Sequence, residues 1–420
     1  MIEWSETHQQ IREMMRRFVA AEVKPHLEAL EHGDLPPYEI LRKLIRSFGI
    51  ADMARARFAR EKDRPPRDPS GAPASPAARP SDERGMEVAL QMIPIIELCR
   101  YSPGLVTALG VSMGLTSAAI MARGTLRQKE RWALPLLTLD AIGAWAITEP
   151  GSGSDAFGGM KSTARRDPER PDGYLLNGSK TFITNGPYAD TIVFICKLDD
   201  GVTPPRDRKV LSFILDKGTP GLTQSKPLRK MGLHSSPTGE LFLDNVRVDK
   251  ERLIGETEDV PARTGATSGA SRHDAKETFT AERTGVAAMA LGIVEQCLQL
   301  SVAYAKTRVQ FGRPIGDFQL IQLKLAKMEV ARMNIQNLVF RQIELAAAGK
   351  SMTLAEASAC KLYSAQAAMD VCLEAVQLHG GNGYMAEYQV EQLCRDAKVL
   401  QIYGGTDEIQ ISQIARNLLS

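Results

Sequence analysis

The amino-acid sequence predicts an α+β fold made of three blocks, with helices at both ends and strands between them. Changes in hydrophobic periodicity carry this prediction. Helical spacing prevails over residues 1–141, short alternating and β-rich segments fill 142–255, and helical spacing returns over 279–420. A chain of 420 residues is long enough for two or three domain-sized units. We therefore expect an N-terminal helical domain, a central β domain and a C-terminal helical domain.

The N-terminal block contains one stretch that does not fit a packed helix. Apolar residues at helical spacing predict helices over 5–30 and 37–48, with Ser5 as the first N-cap, and helical patterning over 86–138. Residues 59–84 are instead rich in proline, arginine, alanine and serine. Because such a segment buries too little apolar surface to offset chain ordering, we expect a disordered insertion.

The middle and C-terminal blocks are punctuated by glycine, asparagine and proline. The predicted strands are 174–184, 191–198, 209–217 and 239–248. Residues 256–278 are predicted to be a flexible loop. The later helices are expected from 282 onward, then at 318–347, 353–378, 385–397 and 406–418.

Composition excludes several classes of function. The net charge is +2, which gives no strong attraction to nucleic acid or to a membrane surface. Six cysteines without a CxxC pair predict reduced thiols in a cytoplasmic protein, and no metal site. The first residues lack an apolar signal core, and we expect no membrane-spanning segment.

Five segments carry candidate chemistry. Glycines in the first and fourth allow backbone to lie against a flat ligand, and an arginine in the third can pair with phosphate oxygens. The segments are ITEPGSGSD (147–155), KTFITNG (180–186), TRVQFGRPIGDFQLIQ (307–322), VQLHGGNGYMAEY (376–388) and IYGGTDEI (402–409).

These segments, in this order, resemble those of the acyl-CoA dehydrogenase family. The resemblance implies an N-terminal helical domain, a central β-barrel and a C-terminal four-helix bundle. It also implies FAD as cofactor, an acyl-CoA substrate, electron-transfer flavoprotein as acceptor, and a homo-oligomer, either a dimer or a tetramer. The segment around Arg308 would serve the cofactor of a neighbouring subunit.

The resemblance also implies which residues bind FAD. Phe182 would stack on the flavin ring, where many members of the family have tryptophan, and Thr184 would reach flavin N5. The full set of expected cofactor contacts is Trp145, Ile147, Thr148, Gly153, Ser154, Phe182, Thr184, Arg308, Phe311, Gln319, Gln377, Gly380, Gly381, Thr406 and Glu408. Metal ligands are not expected.

The catalytic base is expected at an unusual position. Many family members have a glutamate where this chain has Gly404, whereas the isovaleryl- and long-chain-like branch has its base at the position of Glu282. We expect Glu282 to be the base, and Ser154, Arg283, Gly404 and Gly405 to contact substrate. The competing explanation is that Glu282 only favours a helix N-terminus. Asp407 and Glu408 are alternative carboxylates but resemble helix-start residues.

Two other functions remain open from the sequence. The first is a catalytically silent or heteromeric partner subunit of the same fold, which the glycine at 404 and the enlarged loop at 256–278 suggest. The second is a flavin monooxygenase built on this fold. The intact ITEPGSGSD segment and Glu282 argue against the second.

Overall fold

A computed structural model describes residues 3–32, 35–62, 81–259 and 270–419. The helices of the N-terminal block are α1 (Glu6–Phe18), α2 (Leu27–Glu31), α3 (Tyr38–Ser47), α4 (Ile50–Lys62), α5 (Ser81–Cys99), α6 (Pro103–Leu109), α7 (Ser117–Arg123), α8 (Leu126–Gln128) and α9 (Leu134–Leu137). The C-terminal helices are α10 (Ala270–Thr307), α11 (Gln319–Ala347), α12 (Leu354–His379), α13 (Gln389–Lys398) and α14 (Asp407–Leu419).

The strands lie between these two sets of helices, apart from one small hairpin. They are β1 (Gly143–Ala146), β2 (Thr163–Arg166), β3 (Gly173–Thr184), β4 (Thr191–Leu198), β5 (Val210–Asp216), β6 (Leu222–Gln224), β7 (Thr238–Asp249), β8 (Val309–Gln310) and β9 (Arg313–Pro314). The four predicted strands are confirmed, to within one residue at each end, as β3, β4, β5 and β7.

The central sheet is mixed and open, so the β-barrel prediction is wrong. Its strand order is β1-β4-β2-β3-β7-β6, with β5 paired to β4. Strand β4 pairs in parallel with β1 and β2 but antiparallel with β5. Closure would require β5 to pair with β6, and within the described residues β6 pairs only with β7. The sequence pattern identified the strands but carried no information about closure.

One predicted helix and two predicted loops need correction. The helix expected over 5–30 is interrupted after Phe18 by a π-helical turn and then a 3-10 turn containing Pro25, whose missing N–H breaks the α-helical ladder. Part of the expected insertion at 59–84 is helical, since α4 extends to Lys62 and α5 begins at Ser81. The expected loop at 256–278 likewise includes the start of α10. The remainder of both segments, 63–80 and 260–269, lies outside the described residues.

Helices α5 and α10 form the centre of the helical core. Both contribute fully buried side chains to a hydrophobic cluster that also includes α1, α11 and α12. The two helices approach so closely at Gly292 that an added Cβ would lie 2.2 Å from the carbonyl oxygen of Ile96. Glycine at this position therefore fixes the position of α10, which carries Glu282.

Within the described residues, two helical stretches are long and apolar enough to cross a bilayer by length and composition alone: Pro103–Arg123 and Glu282–Thr307. This differs from the expectation that the chain has no such segment. The second stretch is mostly buried within the helical core, and core helices of globular proteins pass the same test. The second stretch is thus explained by the packing of α10.

Candidate active site

Glu282 and Gly404 are direct neighbours in space. A Cβ added to Gly404 would lie 3.4 Å from the carboxyl carbon of Glu282 and 3.5 Å from its Oε1. Glu282 lies on α10, and Gly404 lies in the turn between α13 and α14. The carboxyl of one residue therefore borders the space that a side chain at the other would enter.

The backbone of this turn is held from two sides. Gly404 and Gly405 both have left-handed backbone conformations, with φ of +62° and +88°. The side-chain amide of Gln410 donates to the carbonyl oxygens of both glycines, at 3.0 and 2.7 Å. Lys361 of α12 donates a further hydrogen bond of 2.9 Å to the Gly405 oxygen. The conformation is accessible because glycine has no Cβ.

Charged groups surround the Glu282 carboxyl. Glu282 keeps some exposed surface, but burial raises the pKa of its carboxyl to about 7, while the positive charges of Arg283 and Lys361 oppose this rise. Arg283 is itself buried and donates to the Ser358 hydroxyl at 3.0 Å. A carboxyl with a pKa near neutrality can gain or lose a proton under physiological conditions.

The other expected carboxylates at this turn serve the start of α14. Asp407 is buried and accepts hydrogen bonds from the amides of Gln366 and Gln401, at 3.2 and 3.1 Å. Glu408 is exposed, and a hydrogen bond with Thr406 lowers its pKa. Neither borders Gly404 as Glu282 does.

A second candidate surface lies on the sheet, at Phe182. The pairing of β3 with β7 shifts register between Lys180 and Ile183, and Phe182 has a left-handed φ of +57°. Its side chain is 69% exposed, while the flanking Thr181 and Ile183 are buried. This bulge turns a large aromatic ring out of the strand, which suits stacking against a flat ligand.

The ITEPGSGSD segment lies beside this bulge. The Thr181 N–H donates to the Thr148 oxygen at 3.0 Å, so the two segments run together. Gly153 and Ser154 are exposed, and a Cβ on Gly153 would meet no atom within 4 Å. A ligand can therefore approach this backbone closely.

A buried ion pair fastens the two segments to each other. Lys180 is fully buried and donates to Glu149 Oε1 at 2.8 Å and to the Ile147 oxygen at 3.0 Å. Glu149 also accepts from the backbone N–H groups of Lys161 and Ser162, at 2.6 and 2.9 Å. Burial opposes ionisation of Glu149, but Lys180 and these donors hold the pKa of its carboxyl below the usual value.

Two of the expected cofactor residues have side chains directed into the protein. Ile147 is buried in a cluster between the sheet and the α7–α9 helices, and Trp145 is partly buried against the same cluster. Only the backbone of Ile147 is available to a ligand beside Phe182.

Two segments of the chain match models of known protein families. Residues 144–246 match the acyl-CoA dehydrogenase middle domain, and residues 272–419 match the acyl-CoA dehydrogenase C-terminal domain. An acyl-CoA dehydrogenase of Bacillus subtilis is 36% identical over 410 residues, which is 97% of each chain. The chain belongs to the acyl-CoA dehydrogenase family.

Further members of the family are similar over nearly the whole chain. The CarC subunit of the caffeyl-CoA reductase-Etf complex of Acetobacterium woodii is 33% identical and covers 99% of both chains. The structure of butyryl-CoA dehydrogenase from Megasphaera elsdenii has a TM-score of 0.80 at 33% identity, covering 100% of this chain and 99% of the other. An acyl-CoA dehydrogenase complexed with FAD from Bacillus anthracis has a TM-score of 0.80 at 27% identity, covering 99% and 67%.

These findings establish the general activity. The protein is an acyl-CoA dehydrogenase-type oxidoreductase and a flavoprotein that uses FAD. The similar proteins include a butyryl-CoA dehydrogenase and a short-chain-specific enzyme. The comparisons therefore show the family but do not show that the chain belongs to the isovaleryl- and long-chain-like branch.

The described residues fit FAD at the sheet surface. The Phe182 ring is exposed, Thr184 is half-buried, and the backbone at Gly153 and Ser154 is open to a ligand. The hydrogen bond between Thr181 and Thr148 joins the two segments that carry these residues. Each presents either a flat apolar surface or hydrogen-bonding groups, as an isoalloxazine requires. The tightly bonded Lys180–Glu149 pair keeps these two backbone segments in register.

The expected cofactor residues Arg308, Phe311 and Gln319 lie at or beyond the end of α10 that is distant from Glu282. Arg308 follows the last residue of α10, and the 26 positions between it and Glu282 correspond to about 39 Å of helix. Phe311 forms the tip of the β8–β9 hairpin with a left-handed φ of +52°, and its side chain is 93% exposed. Gln319 is an exposed first residue of α11.

The glycine-rich turn after α12 lies at this same distal end. Tyr304 of α10 stacks on His379 at 4.3 Å between ring centroids, and its hydroxyl donates to the His379 oxygen. Gln377, Gly380 and Gly381 are exposed there, and added Cβ atoms on both glycines would meet open space. The structure thus groups the Arg308 and Gly380 segments together, apart from Glu282 and Gly404.

Sequence reasoning missed several groups that hold the site. Lys361, Gln410, Lys180 and Glu149 all bond to backbone at the two candidate surfaces. Lys361 had one available signal: it is an isolated charge on a helix face otherwise made of Ala357, Ser364, Ala368 and similar small buried residues. A charged residue at such a position is almost never buried unless it is paired.

Proposed function

We propose that this enzyme converts an acyl-CoA to a trans-2-enoyl-CoA, with Glu282 removing the α-proton and FAD accepting the β-hydride. The observation that carries the proposal is the 3.4 Å separation between the Glu282 carboxyl carbon and the Cβ position of Gly404. Family members with a glutamate at the latter position would direct its side chain into this same region. The carboxylate of Glu282 on α10 can thus reach the same α-proton of the substrate as a glutamate at position 404 would.

The ionisation of Glu282 supports a role as base. Because burial raises its pKa to about 7, the carboxylate form increases as the pH rises through neutrality. A base in this range is both sufficiently ionised and sufficiently basic to remove a proton. We therefore expect the rate of FAD reduction to rise with pH, with a midpoint near pH 7.

The turn at Gly404 supports stabilisation of the enolate oxygen. Its carbonyls at 404 and 405 are already engaged by Gln410 and Lys361, whereas no residue in the described ranges accepts from the Gly404 N–H. A fixed N–H directed at a thioester carbonyl stabilises the negative charge that develops during proton removal. The donor belongs to the backbone, so the absence of a side chain at 404 leaves it intact.

The assembly and the electron acceptor are part of the proposal. The separation of about 39 Å along α10 supports a homo-oligomer, a dimer or tetramer, in which the Arg308 segment contacts the cofactor of a neighbouring subunit. Electron-transfer flavoprotein is the proposed acceptor, since the similar CarC protein is named as a subunit of an Etf complex. We place the enzyme in the cytoplasm. We also propose that the enzyme belongs to the isovaleryl- and long-chain-like branch, because Glu282 occupies the position of the base in that branch.

The decisive variant is Glu282→Gln, which keeps the size of the side chain and removes the base. We expect FAD content to remain at the wild-type level and turnover with an artificial electron acceptor to fall at least about a thousandfold. Glu6→Gln is the matched control, because Glu6 is an exposed carboxylate in the first turn of another helix, α1. A Glu282→Gln enzyme with wild-type turnover would remove this residue from the mechanism.

The reciprocal variant moves the carboxylate to the other position. In Glu282→Gln/Gly404→Glu, we expect partial recovery of turnover, because a glutamate at φ +62° is strained. The measurement is the same acceptor-linked assay on a series of acyl-CoA substrates of different length and branching. Recovery to the full wild-type rate would show that the pocket accepts both geometries equally and that the strain is negligible.

A further inference from the structure

We propose that Lys361 is a positioning residue for this reaction: it holds the Gly404–Gly405 turn and supplies a buried positive charge that faces Glu282. The inference rests on the proposed role of Glu282 and adds a residue from a third helix, α12. It assigns to Lys361 both a geometric and an electrostatic task, and the two tasks can be separated by substitution.

The location of Lys361 excludes a surface role. Its side chain has no exposed area, and it lies on the α12 face that packs against α10 and α14. An ammonium group in such a place loses its hydration, which lowers the pKa of Lys361. A methionine at this position would fill the same space without that loss, so the charge requires an explanation.

The geometric task follows from the hydrogen bond to Gly405. The ammonium donates to the Gly405 oxygen at 2.9 Å, on the same turn whose other carbonyl is bonded by Gln410. Both glycines are in left-handed conformations, which an unrestrained turn leaves readily. With both carbonyls engaged from separate helices, the Gly404 N–H is held in one direction beside Glu282.

The electrostatic task follows from a weak counter-ion. The nearest carboxylate to Lys361 is Asp407, at 3.5 Å from its Oδ1, a distance too long for a strong hydrogen bond. Asp407 is instead bonded through Oδ2 by Gln366 and Gln401. The positive charge of Lys361 therefore acts on the Glu282 carboxyl as well as on Asp407.

Glu282 is one of those neighbouring groups. Charged and titratable side chains reach it from each element around it: Arg283 from α10, Lys361 from α12 and Tyr403 from the turn, while Asp407 of α14 acts through Lys361. Burial alone would keep the Glu282 carboxyl protonated well above neutral pH. The two cations counteract burial, and Lys361 also donates a direct hydrogen bond to the turn that carries Gly404.

The test uses Lys361→Gln and Lys361→Met in the FAD-loaded enzyme. Both variants lack the charge, but glutamine can still donate a hydrogen bond to the Gly405 oxygen. We expect the midpoint of the pH profile for anaerobic FAD reduction by acyl-CoA to move upward by about one pH unit in both. We expect the maximal rate at high pH to fall further in Lys361→Met than in Lys361→Gln. The shift of the midpoint is expected in each variant separately, so either variant suffices to test the electrostatic task if the other does not fold.

Lys197→Gln is the matched control. Lys197 is also buried and donates to backbone oxygens, those of Gly158 and Pro205, but it lies on β4. We expect its pH midpoint to equal that of the wild type. If the midpoint in the Lys361 variants also equals the wild-type value while Glu282→Gln is inactive, Lys361 has no such role and the proposed function stands. If Glu282→Gln reduces FAD at the wild-type rate, the proposed function itself fails.

Discussion

Two fully buried lysines hold the two candidate surfaces of this protein, and they do so in different ways. Lys180 lies under the sheet surface at Phe182, and Lys361 lies under the turn at Gly404. Each donates to one backbone oxygen of the segment it supports, at 3.0 Å to Ile147 and 2.9 Å to Gly405. Their carboxylate partners differ: Glu149 is 2.8 Å from Lys180, whereas Asp407 is 3.5 Å from Lys361.

This difference suggests that Lys180 supports only the structure of its segment, whereas Lys361 also affects the ionisation of a reactive carboxyl. The charge of Lys180 is matched closely by Glu149, whose remaining capacity is filled by two backbone N–H groups. Such a pair fixes geometry and leaves little charge for other groups. The loosely paired Lys361 fixes geometry as well but faces an ionisable carboxyl, Glu282. Three further substitutions test whether this distinction is correct.

The largest effect is expected for Lys180→Met. Removing one partner of a tight buried pair leaves Glu149 uncompensated, which costs about 3–5 kcal/mol of folding free energy. Because the Thr148 and Thr181 segments then lose their common support, we also expect FAD content to fall. Equilibrium urea unfolding and the ratio of flavin to protein absorbance measure the two effects. Equal losses in Lys180→Met and Lys361→Met would abolish the distinction between the lysines.

A moderate effect is expected for Gly404→Ala. The left-handed backbone at this position costs an L-residue about 1–2 kcal/mol, and the new Cβ would lie against the Glu282 carboxyl. Gly201→Ala is the control, because Gly201 has φ of +76° with open space around its Cβ position. We expect both variants to lose similar stability, measured by urea unfolding, but only Gly404→Ala to lose turnover. Unchanged turnover in Gly404→Ala would contradict a reactive site at this turn.

The smallest effect is expected for Asp407→Asn, compared with Glu149→Gln. Asparagine keeps an oxygen that Gln366 and Gln401 can bond, so we expect a loss of at most about 1 kcal/mol with FAD retained. In the native protein, three donors share the two carboxylate oxygens of Glu149. Glutamine at 149 offers these donors only one oxygen, so we expect Glu149→Gln to lose clearly more folding free energy than Asp407→Asn. Differential scanning calorimetry of both variants gives the order. The reverse order would show that the shorter ion-pair distance does not reflect a stronger pair.

Much of the architecture could be predicted from local sequence patterns. The strand β3 ends at Thr184 as expected, and helices α11 and α12 begin within one residue of their predicted starts. Such elements are visible because apolar spacing and capping residues such as Thr353 act over only a few residues. Sheet closure depends on pairing between strands distant in sequence, which is why the β-barrel prediction was wrong.

The candidate site could likewise be predicted only in part. The resemblance to a family pointed to Glu282 and Gly404, and the two prove to be neighbours although 122 positions separate them in the chain. The bulge that exposes Phe182 arises from a register shift against β7, and no residue within β3 announces it. Lys361 was missed because a lone lysine in a helix usually faces solvent, and its burial is set by α10 and α14.

If Glu282 removes the substrate α-proton, exchange of that proton with solvent depends on its carboxylate. An acyl-CoA analogue with sulfur in place of the β-methylene can lose an α-proton but has no β-hydride to transfer. In D2O, we expect the FAD-loaded wild type to replace its α-protons with deuterium, as followed by proton NMR, and Glu282→Gln to do so at least about a thousandfold more slowly. Exchange at the wild-type rate in Glu282→Gln would show that another group removes the α-proton.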